Sequence, residues 1–247
     1  MLELRHVSMA FSDRVRAVTV LEDINLEIRD RRFMCIVGPS GCGKSMLLRR
    51  MMGPIVPTAG AVLNDGQALD GVSLRAAMVV QAFALLPWLT VQASVELGLR
   101  ARELSQQEAR RRAAFYLDKV GPDGYEEAYP LELSGGTKQR AGLARARAVE
   151  PDMLFMDEPF AGLDPPTSAN LREQVLTLWS DHDLPVRTVV IVTHIIEEAV
   201  LMADRLVVLS LRPGRVAADL SIPLEWPRNE RDEGFDRLVD SIFETIF

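Results

Sequence analysis

Residues 38–45 read GPSGCGKS, which puts a lysine and a hydroxyl directly behind a run of glycines. The pattern is G-x-x-x-x-G-K-[ST], and the chemistry it suits is polyphosphate binding. Gly38, Gly41 and Gly43 let backbone N–H groups turn inward around an anion, with Pro39, Ser40 and Cys42 filling the loop between them. A helix starting behind them would aim its positive N-terminal end at the same anion. Lys44 adds a point charge at the β- and γ-phosphates, and Ser45 offers a hydroxyl to Mg²⁺. A second constellation is LFMDEP at residues 154–159, an apolar run whose far end delivers two carboxylates. Asp157 would hold Mg²⁺, directly or through water, while Glu158, one residue on and pointing differently, could polarise an attacking water. Strands that end in acids are common, so this pair takes its meaning from the phosphate loop upstream.

Such a loop needs a strand before it and a helix behind it. FMCIV at residues 33–37 is a short apolar run that predicts a buried strand. From Lys44 to Met52 the chain is apolar and basic with no breaker before Gly53 and Pro54, which predicts a helix. Upstream, Leu2, Leu4 and His6 alternate with Glu3, Arg5 and Val7, and VTVLEDINLEI alternates again at residues 18–28. Residues 85–147 change character, with helical spacing, clustered Arg, Glu and Gln, and few β-branched runs. Strand signals return with MLFMD at 153–157, TVVIVT at 188–193 and RLVVLS at 205–210, separated by helical patterns. This alternation predicts a mainly parallel α/β sheet with a helical insertion in the middle. The tail places Phe235, Leu238, Val239, Ile242, Phe243 and Ile246 at helical spacing; such a helix packs on its own domain or docks a partner.

The bulk composition removes other classes. With 247 residues, 48% hydrophobic and 26% charged, the chain has length and apolar content for a sizeable core. A net charge of −7 argues against nucleic acid as the main partner, and the arginines at 110–112 read as a solvated helix face. Cys35 and Cys42 are too few for a disulfide scaffold and have no histidine cluster beside them, so two reduced thiols are expected. Residues 1–5 run into charge without an apolar core segment, so no secretory leader is expected. The longest apolar stretch, residues 76–91, is broken by Gln81 and Pro87 and is too short for a membrane span.

A third motif narrows the field. LSGGTKQR at residues 133–140, with Ser134, Gly135 and Gly136 as its turn, reads on its own as a helix N-cap. A phosphate loop, then LSGG followed by QR, then an acid-ended strand resembles the ATP-binding cassette family, and the resemblance covers almost the whole chain. It implies a RecA-like P-loop NTPase core of class α/β over residues 2–230, with an α-helical subdomain inserted at about 85–145 and a C-terminal helix over 231–247 packed on the core. It also implies ATP and Mg²⁺ as ligands, and an LSGG helix whose N-terminus faces the γ-phosphate held by the opposite subunit. By the same resemblance Phe11 matches the aromatic that stacks on adenine, although a lone aromatic is more often a core residue. Gln81 matches the glutamine that contacts Mg²⁺ and the water while touching the membrane partner. Asp164 matches the aspartate along the dimer seam, and His194 the histidine that contacts the γ-phosphate. His6 and His182 have no such placement, and structural or surface roles suit them.

A narrower resemblance, in LLPWLTV (85–91), ELSGG, DEPF and RPGR (212–215), points to the nitrate, sulfonate and taurine importer branch. The segment 85–91 would lie near the groove that receives the permease's coupling helix; internal packing is the other reading of its apolar residues. The branch implies a homodimer of ATPase subunits on the cytoplasmic face of the membrane, joined to a separate permease and indirectly to a solute-binding protein. Several positions depart from the family's pattern. Met46 replaces the usual Thr after Lys-Ser, Thr137 replaces Met after LSGG, and Ile195 replaces the acid after the histidine. Leu131 and Glu132 stand where His and Gln are common. No departure removes a catalytic group; they bear on nucleotide affinity and coupling. Two other readings are a soluble ATPase of the same family and a nucleotide-binding regulator without turnover.

Overall fold

A computed structural model of the chain describes residues 1–12, 17–80, 85–121, 124–181 and 185–246. Two expected positions, Gln81 and His182, lie outside the described residues. The chain forms two compact units, one built from Met1–Ser73 and Arg187–Phe247, the other from Leu74–Val186.

In the first unit, β1 (Leu2–Ser12) and β2 (Ala17–Ile28) pair antiparallel, and β1 pairs on its other side with β4 (Ala59–Asn64). The inward phase of β1 does not run as alternation predicts. Leu2 and Leu4 are buried, but the register shifts between Leu4 and Val7, and His6 adopts a φ of 51°. The bulge passes the inward positions to Val7 and Met9 and turns His6 outward, where its Nδ1 meets Asp23 Oδ1 at 2.8 Å. A two-residue strand, β5 (Gln67–Ala68), ends this sheet beside β4.

Beneath lies a parallel set. β3 (Phe33–Val37) runs between β8 (Thr188–Val192) and β9 (Arg205–Leu209), parallel to both, and β10 (Val216–Ser221) lies antiparallel on β9. Every residue of β3 and β8 is buried, as strands covered on both faces require, and that burial is why they read as unbroken apolar runs. α1 (Lys44–Met52) follows β3 and packs toward β8, while α6 (Ile196–Met202) packs on β3. The tail forms α7 (Glu233–Ile246), which lies against α6, β9 and β10 through Phe235 and Ile242. Phe243 stays half exposed.

In the second unit, β6 (Ala76–Val79) and β7 (Met153–Asp157) pair in parallel. The chain between them is helical: α2 (Val91–Arg100), α3 (Gln106–Val120), a 3-10 turn (Pro130–Glu132) and α4 (Gly135–Ala148). Val95, Leu99, Leu117, Ala141 and Ala144 share one buried cluster, in which the small side chains of α4 let its neighbours approach closely. α5 (Pro165–Ser180) follows β7 and packs on α4. Among the described residues, no helix is long and apolar enough to cross a membrane.

Candidate active site

The expected site residues divide between the two units, and each group has its own local cause. In the first unit, β3 ends at Val37 and the chain turns at once. Gly43 caps α1 with a φ of 105°, a conformation that L residues avoid, so a glycine is needed where the loop becomes a helix. The first turn of α1 contains no acidic side chain to compete for its free N–H groups. Lys44 is buried, and its Nζ donates to the carbonyls of Gly38 at 2.7 Å and Pro39 at 3.1 Å. The ammonium is therefore held over the loop by the loop's own backbone. Ser40 and Gly41 are exposed, Pro39, Ser45 and Met46 are half-buried, and Gly38 and Cys42 are buried. Both cysteines are free. Burial pushes the Cys35 thiol well up, and it raises Cys42 also, against the opposing pull of Lys44. Neither is thus primed as a nucleophile.

Phe11, near the end of β1, pairs across the hairpin with Val18, and both side chains stand in solvent. The core reading of Phe11 does not hold; the ring offers a free face. His194 follows β8 and is exposed. Its turn is pinned by a pair that motif reading missed. Thr193, buried, donates its hydroxyl to Glu198 Oε2 at 3.1 Å and accepts the N–H of Ile195 at 3.1 Å, while its own N–H bonds to Ile36 on β3. Glu198 is itself buried on α6. An acidic side chain four residues beyond His194 was the available signal. The departure at Ile195 has a visible effect: this residue is the N-cap of α6, and its side chain makes no capping hydrogen bond.

In the second unit, Asp157 is buried at the end of β7. The next residue, Glu158, takes a φ of 47°, so the backbone bends sharply between the two carboxylates. Ser134 caps α4, accepting the N–H of Thr137 at 3.2 Å, with Ser134 and Gly135 exposed. The departure at Thr137 matters here too, since its Oγ1 lies 2.7 Å from Ser134 Oγ, a hydrogen bond that methionine could not make. Asp164 caps α5 through the hydroxyl and N–H of Thr167, at 2.8 and 3.1 Å, and these bonds hold its carboxyl below the usual carboxylate range. Leu131 is strongly exposed, and Glu132 accepts the N–H of Tyr129. In segment 85–91, Val91 and Leu85 turn toward the helical cluster, as internal packing reads them, while Trp88 is 69% exposed.

Comparison with known proteins bears on the fold and the family. The profile of the ABC transporter family matches residues 21–161. The nitrate import ATP-binding protein of a Synechocystis species is 40% identical over 98% of this chain and 93% of its own. The aliphatic sulfonates import ATP-binding protein of Bacillus cereus is 34% identical over 96% and 92% of the two chains. Among solved structures, the dimeric ATP-binding cassette MJ0796 in a post-hydrolysis state with ADP and Pi superposes with a TM-score of 0.80 at 30% identity, over 91% of this chain and all of that one. The α/β P-loop core with inserted helices is thus a shared architecture.

Proposed function

Because this chain belongs to the ABC transporter family, as its ATP-binding and ATP-hydrolysing subunit, we propose that two copies bind two Mg²⁺·ATP head to tail and drive solute import through a separate permease. The observation that carries the two-copy reading is the start of α4. Its first turn has no acidic side chain, and Ser134 and Gly135 are exposed there, so the positive helix end faces outward and suits a phosphate presented by a second copy.

The roles follow from the chemistry of each group. The loop at 38–46 and Lys44 hold the phosphates, Phe11 stacks on the adenine, and Ser45, Asp157 and Gln81 supply hard oxygen donors to Mg²⁺. Among the described residues no group of three His, Cys, Asp or Glu side chains gathers into a metal site. One carboxylate, one hydroxyl and one amide oxygen are instead a set that leaves phosphate oxygens to complete the coordination. Glu158 polarises the attacking water, His194 contacts the γ-phosphate, and Ser134, Gly135 and Gly136 of the opposite copy close over it. Closure is a population shift, so ATP must bind the closed dimer more tightly than the open one.

Import, rather than export, is favoured by relatives named for nitrate and sulfonate import, and a small anion such as nitrate, sulfonate or taurine is the solute class they support. The permease would meet the exposed Trp88, a solute-binding protein would deliver the anion from outside, and the chain would sit peripherally on the cytoplasmic face. Glu158→Gln tests the mechanism: ATP turnover is expected to stop while an ATP-bound dimer accumulates, read by phosphate release and size-exclusion chromatography. Normal turnover in that variant overturns the assignment of Glu158.

A further inference from the structure

The turn between β9 and β10 carries a motif, RPGR at residues 212–215, that none of the roles above uses. It packs against the phosphate loop from outside. Arg212 donates its Nε–H to the carbonyl of Gly41 at 2.8 Å, across 171 residues of chain. Gly214 is buried at the junction of three elements. Its N–H bonds to Val20 of β2 at 2.8 Å, and its carbonyl accepts from Glu22 at 3.0 Å. A Cβ there would come within 2.1 Å of the Cys42 carbonyl, so only glycine permits this approach. The turn is closed on itself: Ser210 Oγ donates to the Pro213 carbonyl and accepts from Arg215 N, and Arg215 pairs with Glu22 at 2.9 Å. Arg212 thus projects from a rigid base onto one carbonyl of the phosphate loop.

The chosen carbonyl matters. A peptide's C=O and N–H point in opposite directions: Arg212 holds the Gly41 oxygen outward, while the Cys42 N–H of the same peptide turns back into the loop and donates to the Pro39 carbonyl at 3.3 Å. Inward N–H groups are what such a loop uses to bind phosphate. Gly41 has a φ of 77°, in a region where glycine moves freely, and it is exposed; the loop's own hold on this peptide is the long bond from Cys42 N–H to Pro39, so Arg212 adds a second, shorter tie from outside. Met46 adds no hydroxyl to the phosphates, which leaves the backbone N–H groups a larger share of the binding.

We propose that Arg212 is a positioning residue for ATP binding: its Nε–H, bonded to the Gly41 carbonyl, fixes the phosphate loop with its N–H groups turned inward. This rests on residues 38–45 being the nucleotide site. In Arg212→Ala the Kd and KM for ATP rise about fivefold, the effect of one such hydrogen bond. kcat at saturating ATP and the melting temperature of the nucleotide-free protein stay unchanged, because Arg212 is exposed and contacts no reacting atom. Arg212→Gln places an uncharged N–H donor at the same point along the side chain as Nε, and it restores Kd to within about twofold of the parent. Binding is read by titration of a fluorescent ATP analogue, with Lys44→Ala alongside. Parental affinity in Arg212→Ala overturns the proposal, as does a Gln variant that binds no better than Ala, which would leave bare charge as the cause. If Lys44→Ala also binds as the parent does, the nucleotide site itself is misplaced and both readings fall.

Discussion

Glu158 leaves β7 with its φ at 47°, a conformation that costs an L residue roughly 1–2 kcal/mol. At ordinary φ, glycine is less stable than alanine by roughly 0.5–1 kcal/mol, so here the order reverses. Glu158→Gly is therefore expected to melt above Glu158→Ala by about 2 °C, with both variants inactive. Calorimetry of the two settles it, and an alanine variant that melts higher would remove strain from the account of this turn. The residue types at 38–45 and at 157 and 158 were readable from spacing because each follows or ends an apolar strand, whereas His194 was singled out only through the family resemblance. The left-handed turn at Glu158 was not readable, since glutamate carries no preference for it. Nor was the Ser134–Thr137 hydroxyl pair, which hides inside an ordinary N-cap pattern.

Each helix of the inserted segment starts on a side-chain cap: Thr90 accepts from Ala93 N, Ser105 from Glu108 N and Ser134 from Thr137 N. Thr90 caps α2 at the edge of the segment that carries Trp88, so Thr90→Ala tests how far local capping fixes this start. A loss of about 1 kcal/mol is expected, seen as a lower denaturant midpoint at unchanged slope. No loss would mean that the Val91 N–H bond to the Ala128 carbonyl, at 3.0 Å, holds the helix start unaided. At this scale the buried strands β3, β7, β8 and β9 were legible, because burial on both faces demands continuous apolar runs. β4, β5 and β10 were not: β10 alternates half-buried and exposed positions, β5 is two exposed residues long, and β4 has one fully buried side chain. In β1 the alternation was legible but its phase was not, since the bulge at His6 is decided by pairing with β2.

Across the molecule, Trp88 is among the large apolar side chains left exposed, at 69%, and it is the one that the proposed permease contact uses. Trp88→Ala is expected to weaken co-purification with the permease by more than tenfold, the cost of an aromatic anchor being about 2 kcal/mol. ATP turnover of the detached subunit is expected to stay as it is, since the side chain supports no core contact. Retained complex formation with the alanine variant would place the permease elsewhere. By itself, the sequence determined a glycine-rich loop between strand and helix, of a kind suited to polyphosphate, and its three motifs together determined the family. Those features are local, written in residue types a few positions apart. Only the tertiary structure decided that Arg212 reaches the Gly41 carbonyl, that Gly214 admits the Cys42 backbone, and that Glu198 braces the turn of His194 through Thr193. Such contacts depend on which elements become neighbours and at what distance, and no local period or composition encodes them.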